Sequence, residues 1–298
     1  MNILVSGSRG FIGSALVKSL GRAGHHPIRL VRSPSRPTEG AVIWDPLAER
    51  IDSYGLSDIE AVVHLAGESI AEGKWTDERK DAIHESRVAG TKFLAQAVAR
   101  LRNPPRVFVS ASAVGFYGDR GDEILDESSS RGTGFLSDLC WQWEAACDAA
   151  TRKGIRVVNT RFGLVLGDGG LLRRLLPIFR LGFGGKLGSG RQYMSWIALA
   201  DVVGGIEHAI VTDSLVGPVN FVSPDPVTNA EFTRALAAAV NRNAYYTVPA
   251  FALRLAYGQM ADEMLLASAR AVPKKLEESG YKFKHERLED ALAAAIRE

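Results

Sequence analysis

The segment Ile3-Leu-Val-Ser-Gly7-Ser-Arg-Gly10-Phe-Ile-Gly13-Ser-Ala-Leu-Val decides how this chain is read. A short strand pattern runs into three glycines at three-residue spacing, and helix-period apolar residues from Ile12 to Leu20 follow at once. Each glycine has a physical use: the first permits a tight turn, the second lets backbone approach a diphosphate, and the third lets the helix pack close to the sheet. The amides of Phe11 and Ile12 then open a helix whose dipole favours an anion. Strand, glycine turn and helix in this order are the context a dinucleotide-binding turn needs, so Gly7, Arg9, Gly10, Phe11, Ile12 and Gly13 are the expected contacts to a cofactor.

Outward from this turn the alternation continues. Apolar runs at Ile28 to Val31, Val42 to Trp44, Ala61 to Leu65, Val107 to Ser110 and Val157 to Thr160 alternate with amphipathic stretches such as Ile83 to Arg100 and Asp138 to Ala150. Near-continuous apolar strands separated by helices predict a parallel sheet covered on both faces. The expected fold is α/β, a Rossmann-type doubly wound sheet with a smaller, mostly helical C-terminal lobe. Residues 1–165 are read as the dinucleotide-binding core, with further strands and helices of the core returning within 190–225, and residues 166–298 as the substrate-side and C-terminal lobe. Strand character is expected at Tyr193 to Ile197 and Val219 to Val222, and helices at Leu199 to Val211 and Asn229 to Asn241.

The dinucleotide is selected about 20 residues past the turn, where an acid would bind the adenine ribose hydroxyls of NAD. Here the second strand ends Leu30-Val-Arg32-Ser-Pro, and no Asp or Glu occurs between Gly13 and Glu39. A carboxylate would repel a 2′-phosphate, whereas Arg32 can fork onto it and Arg9 can add a second cation. NADP is therefore the expected cofactor.

With 36 Lys and Arg against 34 Asp and Glu, and no run of five like charges, neither a nucleic-acid groove nor a membrane-surface patch is expected. A small-molecule partner is. No basic leader and no apolar stretch of about 20 residues is visible, which makes a cytoplasmic protein the expectation. Cys140 and Cys147 read as buried thiols two turns apart on one helix face, and the six histidines have no metal-ligand spacing, so no metal is predicted.

The glycine form Gly7, Gly10, Gly13, the strand end Val63-His-Leu65-Ala66-Gly67, the helix pattern Ser86-Arg87-Val-Ala-Gly90-Thr91, the run Ser110-Ala-Ser112-Ala-Val-Gly-Phe-Tyr117-Gly118, and Arg161-Phe162-Gly-Leu-Val-Leu-Gly167 together resemble the extended short-chain dehydrogenase/reductases. With Gly188-Ser-Gly-Arg-Gln192, Ser195-Trp196-Ile197, Asn229-Ala-Glu-Phe and Val272-Pro-Lys-Lys added, nearly the whole chain resembles an atypical "epimerase family" subgroup that carries its own C-terminal extension. That resemblance implies an NADP-dependent oxidoreductase or epimerase acting on a small polar substrate, a sugar among the candidates. It places Leu65, Ala66 and Gly67 over the adenosine side of the cofactor and Arg161 and Phe162 on the nicotinamide side. Arg87 and Arg161 are each read either as ligands or as structural ion pairs, Arg87 with Glu68. Arg191, Tyr193 and Trp196 are candidates for a substrate cleft, Trp196 equally for the core.

The resemblance also implies a Tyr-x-x-x-Lys pair about 20 residues beyond Tyr117. Anchoring on Glu144 places Leu136 and Cys140 there, and a one-residue shift places Phe135 and Leu139. Neither register contains the pair. The remaining candidate proton donors are Ser112, which matches the family's serine, and Tyr117. The alternative reading is a catalytically silent NADP-binding regulatory protein linked to cell division.

Overall fold

The computed structural model describes residues 1–32, 40–52 and 54–297. Ser33, Pro34 and Glu39, used above in reading the end of the second strand, lie outside the described residues. The first half of the chain runs β1 (Asn2–Ser6), α1 (Phe11–Arg22), β2 (His26–Arg32), β3 (Ala41–Asp45), β4 (Arg50–Ile51), β5 (Ala61–His64), α2 (Asp77–His84), α3 (Gly90–Ala99), β6 (Val107–Ala113), β7 (Ile124–Leu125), α4 (Phe135–Ala145), α5 (Asp148–Arg152), β8 (Arg156–Phe162) and β9 (Leu164–Leu166). The second half adds α6 (Gly170–Arg180), β10 (Gly185–Leu187), β11 (Tyr193–Met194), β12 (Trp196–Ala198), α7 (Leu199–Val211), β13 (Gly217–Phe221), β14 (Val227–Thr228), α8 (Asn229–Ala239), β15 (Tyr246–Val248), α9 (Ala250–Tyr257), β16 (Arg270–Ala271), α10 (Lys274–Glu278) and α11 (Leu288–Arg297).

Eight strands form the main sheet in the order β13-β8-β6-β5-β1-β2-β3-β4, parallel except for the short edge strand β4. The order reverses between β1 and β5, which is where open α/β sheets bind ligands. Period-two alternation divides the core. Ile3, Val5, Ala61, Val63, Val107 and Val109 pack with Leu16 and Leu20 of α1 and Val202 and Ile206 of α7. Leu4, Val62, Phe108 and Val157 pack on the opposite face with Leu94 and Val98 of α3 and Ala150 of α5. Each fully buried aliphatic side chain contributes roughly 1.5–3 kcal/mol of transfer free energy, so both faces hold their helices firmly.

The C-terminal region packs α6, α8 and α11 around Leu172, Phe232, Leu236 and Leu292. Helix α8 starts with a capping box in which Thr228 and Glu231 satisfy each other's backbone amides. Alongside these helices the structure has four two-stranded pairs, β9 with β12, β10 with β15, β11 with β14 and β7 with β16. Strands of two or three residues are too short to leave a period in the sequence. The strand expected from Tyr193 to Ile197 is broken at Ser195, whose hydroxyl donates to the carbonyl of Ala269 at 2.8 Å and accepts from the amide of Ala271 at 2.8 Å. The helix expected from Ile83 to Arg100 contains a five-residue π-helical turn, Glu85–Ala89. Cys140 and Cys147 are buried and free, but Cys147 lies between α4 and α5 rather than on one continuous helix.

Candidate functional site

The glycine turn sits at the carboxyl end of β1, closed by the Gly10 amide donating to the Gly7 carbonyl at 2.9 Å. Gly7 has φ +64°, and a Cβ there would lie 2.8 Å from the carbonyl carbon and oxygen of Leu65. A Cβ on Gly13 would collide with the Gly7 carbonyl. The third glycine thus seats α1 against the turn itself, a correction to the expectation that it serves helix-to-sheet packing. Gly10 differs from both: its φ of −75° suits any residue, and a Cβ would meet only the Gly7 oxygen, at 3.2 Å.

The groups around this turn have unspent hydrogen-bonding capacity. Helix α1 has no side-chain cap at Gly10, leaving its first-turn amides available. The Ser8 hydroxyl is buried and has no partner among the described residues. Arg29, which sequence reasoning missed, extends Nη1 to within 3.3 Å of the Ser8 carbonyl. Its only signal was a cation on the second strand, which by itself points to no ligand. Arg9 and Arg32 are exposed nearby in the chain order predicted, at the turn and at the end of β2. Phe11 is committed elsewhere: its ring fills the space that side chains at Gly167, Gly169 and Gly170 would need, with would-be Cβ contacts of 2.9, 2.6 and 3.2 Å. Ile12 packs against the core. Both residues therefore offer a ligand their backbone amides, not their side chains.

Across the switch point, the Ser6 hydroxyl organises the end of β5. It accepts from the amides of Leu65 at 3.0 Å and Ala66 at 3.2 Å and lies 2.7 Å from His64 Nδ1, so its own proton goes to the imidazole. His64 is fully buried, and burial pushes its pKa down from 6.5 to about 4. A folded-state pKa below the unfolded value means stability is fully present above about pH 6.5 and declines as pH falls toward 4, by roughly 3 kcal/mol across the window. Replacing His64 with Asn should flatten that decline, seen as a smaller drop in Tm between pH 7 and pH 4.5 than the parent protein shows. Equal drops would place the acid sensitivity elsewhere.

Arg87 lies in the π turn and packs beneath Gly67, where a Cβ would be 3.3–3.5 Å from the guanidinium. It stacks on Trp143 at 5.0 Å, and among the described residues it makes one weak hydrogen bond, to the Ile83 carbonyl at 3.4 Å. Glu68 pairs with Arg79 at 3.7 Å instead, so the Glu68–Arg87 alternative is not formed. Burial lowers the Arg87 pKa to about 10, which leaves it charged at neutral pH. An under-used, half-buried cation beside Gly67 is a feature that the packing alone does not require.

Arg161 behaves differently. Its guanidinium forks onto Glu144 at 2.8 and 2.9 Å, donates to the Tyr117 hydroxyl at 3.0 Å and lies 3.5 Å from the Phe116 ring centroid. Burial opposes the charge, but the hydrogen bonds and attraction of Glu144 outweigh it and raise the pKa. The Tyr117 hydroxyl in turn donates to Asn220 Oδ1 at 2.7 Å, and burial pushes its pKa up to about 12. The Asn220 amide reaches Glu127 Oε1 at 2.9 Å. One expectation is corrected: Tyr117 is fully buried and bonded, which removes it from the candidate proton donors. Of the two readings of Arg161, the geometry matches the structural ion pair, its guanidinium being engaged by Glu144 and Tyr117. Phe162 packs edge-on against Phe221 at 5.4 Å. Ser112 is nearly buried and donates to Glu144 Oε1 at 2.7 Å.

Leu136 and Cys140 face the segment that follows β6, with a would-be Gly115 Cβ 3.4 Å from Leu136 Cβ and 3.8 Å from Cys140 Sγ. Burial pushes the Cys140 thiol up to about 12. Leu136 and Cys140 themselves therefore bring no ionised group to that face at neutral pH; one turn further along it stands Glu144, paired with Arg161. Beside it is a cavity of about 340 Å³, lined in part by Gly115, Thr133, Leu136, Arg254 and Glu263. Glu263 accepts the Phe135 and Leu136 amides at 3.1 and 2.8 Å, so the C-terminal region supplies the cap that α4 lacks locally. Arg191, Tyr193 and Trp196 do not line this cavity. Trp196 is core, donating to the Asp225 carbonyl at 2.8 Å, and Tyr193 lies under the Arg270 guanidinium at 4.6 Å.

Residues 3–221 match the NAD dependent epimerase/dehydratase family, and residues 248–295 match DUF1731, a domain of unknown function. The chain is 45% identical over 295 residues to epimerase family protein Mb2239 of Mycobacterium bovis, spanning 98% of this chain and 97% of that protein. It superimposes with a TM-score of 0.91 and 34% identity on human epimerase family protein SDR39U1 (isoform 2), whose crystal structure is with NADPH, covering 100% of this chain and 99% of that one. A nucleoside-diphosphate sugar epimerase from Corynebacterium glutamicum is similar at 39% identity and TM-score 0.83, with 99% of this chain matching 58% of that chain.

Proposed function

We propose, from the premise that this chain belongs to the NAD dependent epimerase/dehydratase family, that it binds NADP(H) at the β1–β5 switch point and acts as an oxidoreductase or epimerase on a small polar substrate. The observation that carries the reading is the set of unspent donors at that point: the uncapped amides of α1, the partnerless Ser8 hydroxyl and the under-used Arg87. These residues suit a diphosphate, with Leu65, Ala66 and Gly67 beside them, and Arg32 and Arg9 are the cations this reading gives to a 2′-phosphate. NADPH in the structure of human SDR39U1 supports NADP over NAD. The cavity beside Leu136 is the substrate space in this reading.

Bound there, the nicotinamide would supply a hydride donor or acceptor. The protein's part is to bind, orient and exclude water. Ser112, whose proton is held by Glu144, is the hydroxyl this reading assigns to accept a hydrogen bond from a substrate hydroxyl. The absence of an ionised donor on the Leu136–Cys140 face and the engagement of Tyr117 favour a second reading, an NADP-binding regulatory protein without turnover.

The two are separated by following NADPH oxidation across sugars, quinones and activated carbonyls, and repeating any positive reaction with Ser112→Ala. Turnover reduced by the substitution supports the first reading. NADPH binding with no turnover on any class supports the second. For the cofactor itself, Arg32→Ala should weaken NADPH by roughly 1.5–3 kcal/mol, the worth of hydrogen bonds to a charged group, and leave NADH nearly unchanged. Equal losses for both in calorimetry would refute the assignment of Arg32.

A further inference from the structure

The near-balance of charge in this chain conceals a segregation. Residues 169–192 hold five Lys and Arg and residues 238–258 hold two, and neither stretch contains an Asp or Glu. The fold joins the two. Gly185, Lys186 and Leu187 of β10 lie parallel to Tyr246, Thr247 and Val248 of β15. Arg242 Nε donates to the Arg180 carbonyl at 3.0 Å, and the Phe183 and Tyr246 rings are 6.2 Å apart. Arg254 is engaged by Asp262 at 2.8 Å, but Arg180, Lys186 and Arg242 have no ion pair among the described residues.

The same surface is apolar. Leu181, Phe183, Tyr246, Phe251 and Leu255 are each more than half exposed, and eight of the fourteen large exposed apolar side chains among the described residues come from these two stretches. Phe251 and Leu255 are one turn apart on α9, which follows β15 after a single residue. Exposed apolar surface on this scale marks a contact site.

We propose that this face seats on an anionic lipid surface. The occupant follows from the chemistry. A second copy would bring the same acid-free cations against themselves, so charge disfavours a symmetric pairing. A stacking platform for bases would use Phe183, Tyr246 and Phe251 but leave Leu181 and Leu255, the latter the most exposed of the five, without a role. Aliphatic and aromatic side chains with the unpaired cations Arg180, Lys186 and Arg242 among them, the acids Asp262 and Glu72 being taken up by Arg254 and Arg174, match the headgroup region of an anionic bilayer, where the apolar groups enter the acyl boundary and the cations meet phosphate. No described helix is long and apolar enough to cross a membrane, so the contact is peripheral. The expectation of no membrane-surface patch rested on runs of like charge along the sequence. Here the cations are dispersed along the chain and gathered by the β10–β15 pairing.

The test is co-sedimentation of the full chain with phosphatidylcholine vesicles, with and without phosphatidylglycerol. Binding should require phosphatidylglycerol and fall as salt rises. Each cation near such a surface is worth about fivefold in partitioning, so the double charge reversal Arg180→Glu, Arg242→Glu should lower it by about tenfold or more. Phe183→Ser with Leu255→Ser should lower it on the same vesicles at the same salt, and an unchanged Tm in both variants excludes unfolding as the cause. Failure to sediment with anionic vesicles at low salt overturns the proposal, as does binding indifferent to both pairs of substitutions. A dimer in sedimentation velocity that dissociates with these substitutions assigns the face to a second copy instead. Binding to polyglutamate as tight as to vesicles, and insensitive to the apolar substitutions, assigns it to an acidic protein.

Discussion

Gly10→Val should abolish binding of both NADPH and NADH while leaving the fold intact. The three turn glycines are chemically alike but structurally unequal. Gly7 is held at positive φ against Leu65, and Gly13 leaves no room for a Cβ beside the Gly7 carbonyl, so the fold itself needs both. Gly10 has an ordinary extended backbone, and a Cβ meets only one protein atom, at 3.2 Å. What a valine there occupies is the space over the uncapped α1 amides, where a diphosphate would lie. At a cofactor concentration of 100 times the parent's Kd, binding stabilises the parent by about 2.7 kcal/mol, and the variant should gain none of it. Circular dichroism and thermal shift with each dinucleotide make the measurement. A variant that still melts higher with cofactor present would show that the turn is not the binding site.

Arg161→Met should destabilise the protein by about 3–5 kcal/mol, the cost of leaving a buried partner charge uncompensated. Glu144 would retain only Ser112, and the Tyr117 hydroxyl would lose the donor that links it to the same network. For a protein of this size each kcal/mol moves Tm by about 2–4 °C, so a drop on the order of 10 °C is expected. Replacing both partners, Arg161→Met with Glu144→Leu, should recover part of the loss because no charge remains buried alone. A variant with unchanged Tm but NADPH affinity weakened more than about tenfold would return Arg161 to the list of cofactor ligands.

Both expected results draw on features the sequence made visible, but to different depths. The glycine turn was legible because its chemistry is local: a strand, a left-handed turn and a helix start all leave their marks within a dozen residues. Arg161 was visible as a cation at a strand end, but not its partner. Glu144 is 17 residues away along the chain, Tyr117 44 away, and nothing in their spacing predicts that the three meet. Arg29 went unnoticed for the same reason, since its contact with Ser8 is created by the pairing of β1 with β2.

By itself, then, the sequence determined the doubly wound sheet, the glycine turn at residues 7–13 and the absence of a Tyr–Lys pair on α4, because apolar periodicity, glycine placement and residue identity are local properties. Only the tertiary structure decided that Phe11 is committed to the glycines of residues 167–170, that Tyr117 and Arg161 are locked into a buried network while Arg87 keeps its donors, that Glu263 caps α4 from the far end of the chain, and that dispersed cations and aromatics share one face. The physical reason is common to all four. A side chain's partners are set by which elements the fold lays side by side, and whether its charge or hydroxyl is spent or free depends on those partners rather than on its neighbours in sequence.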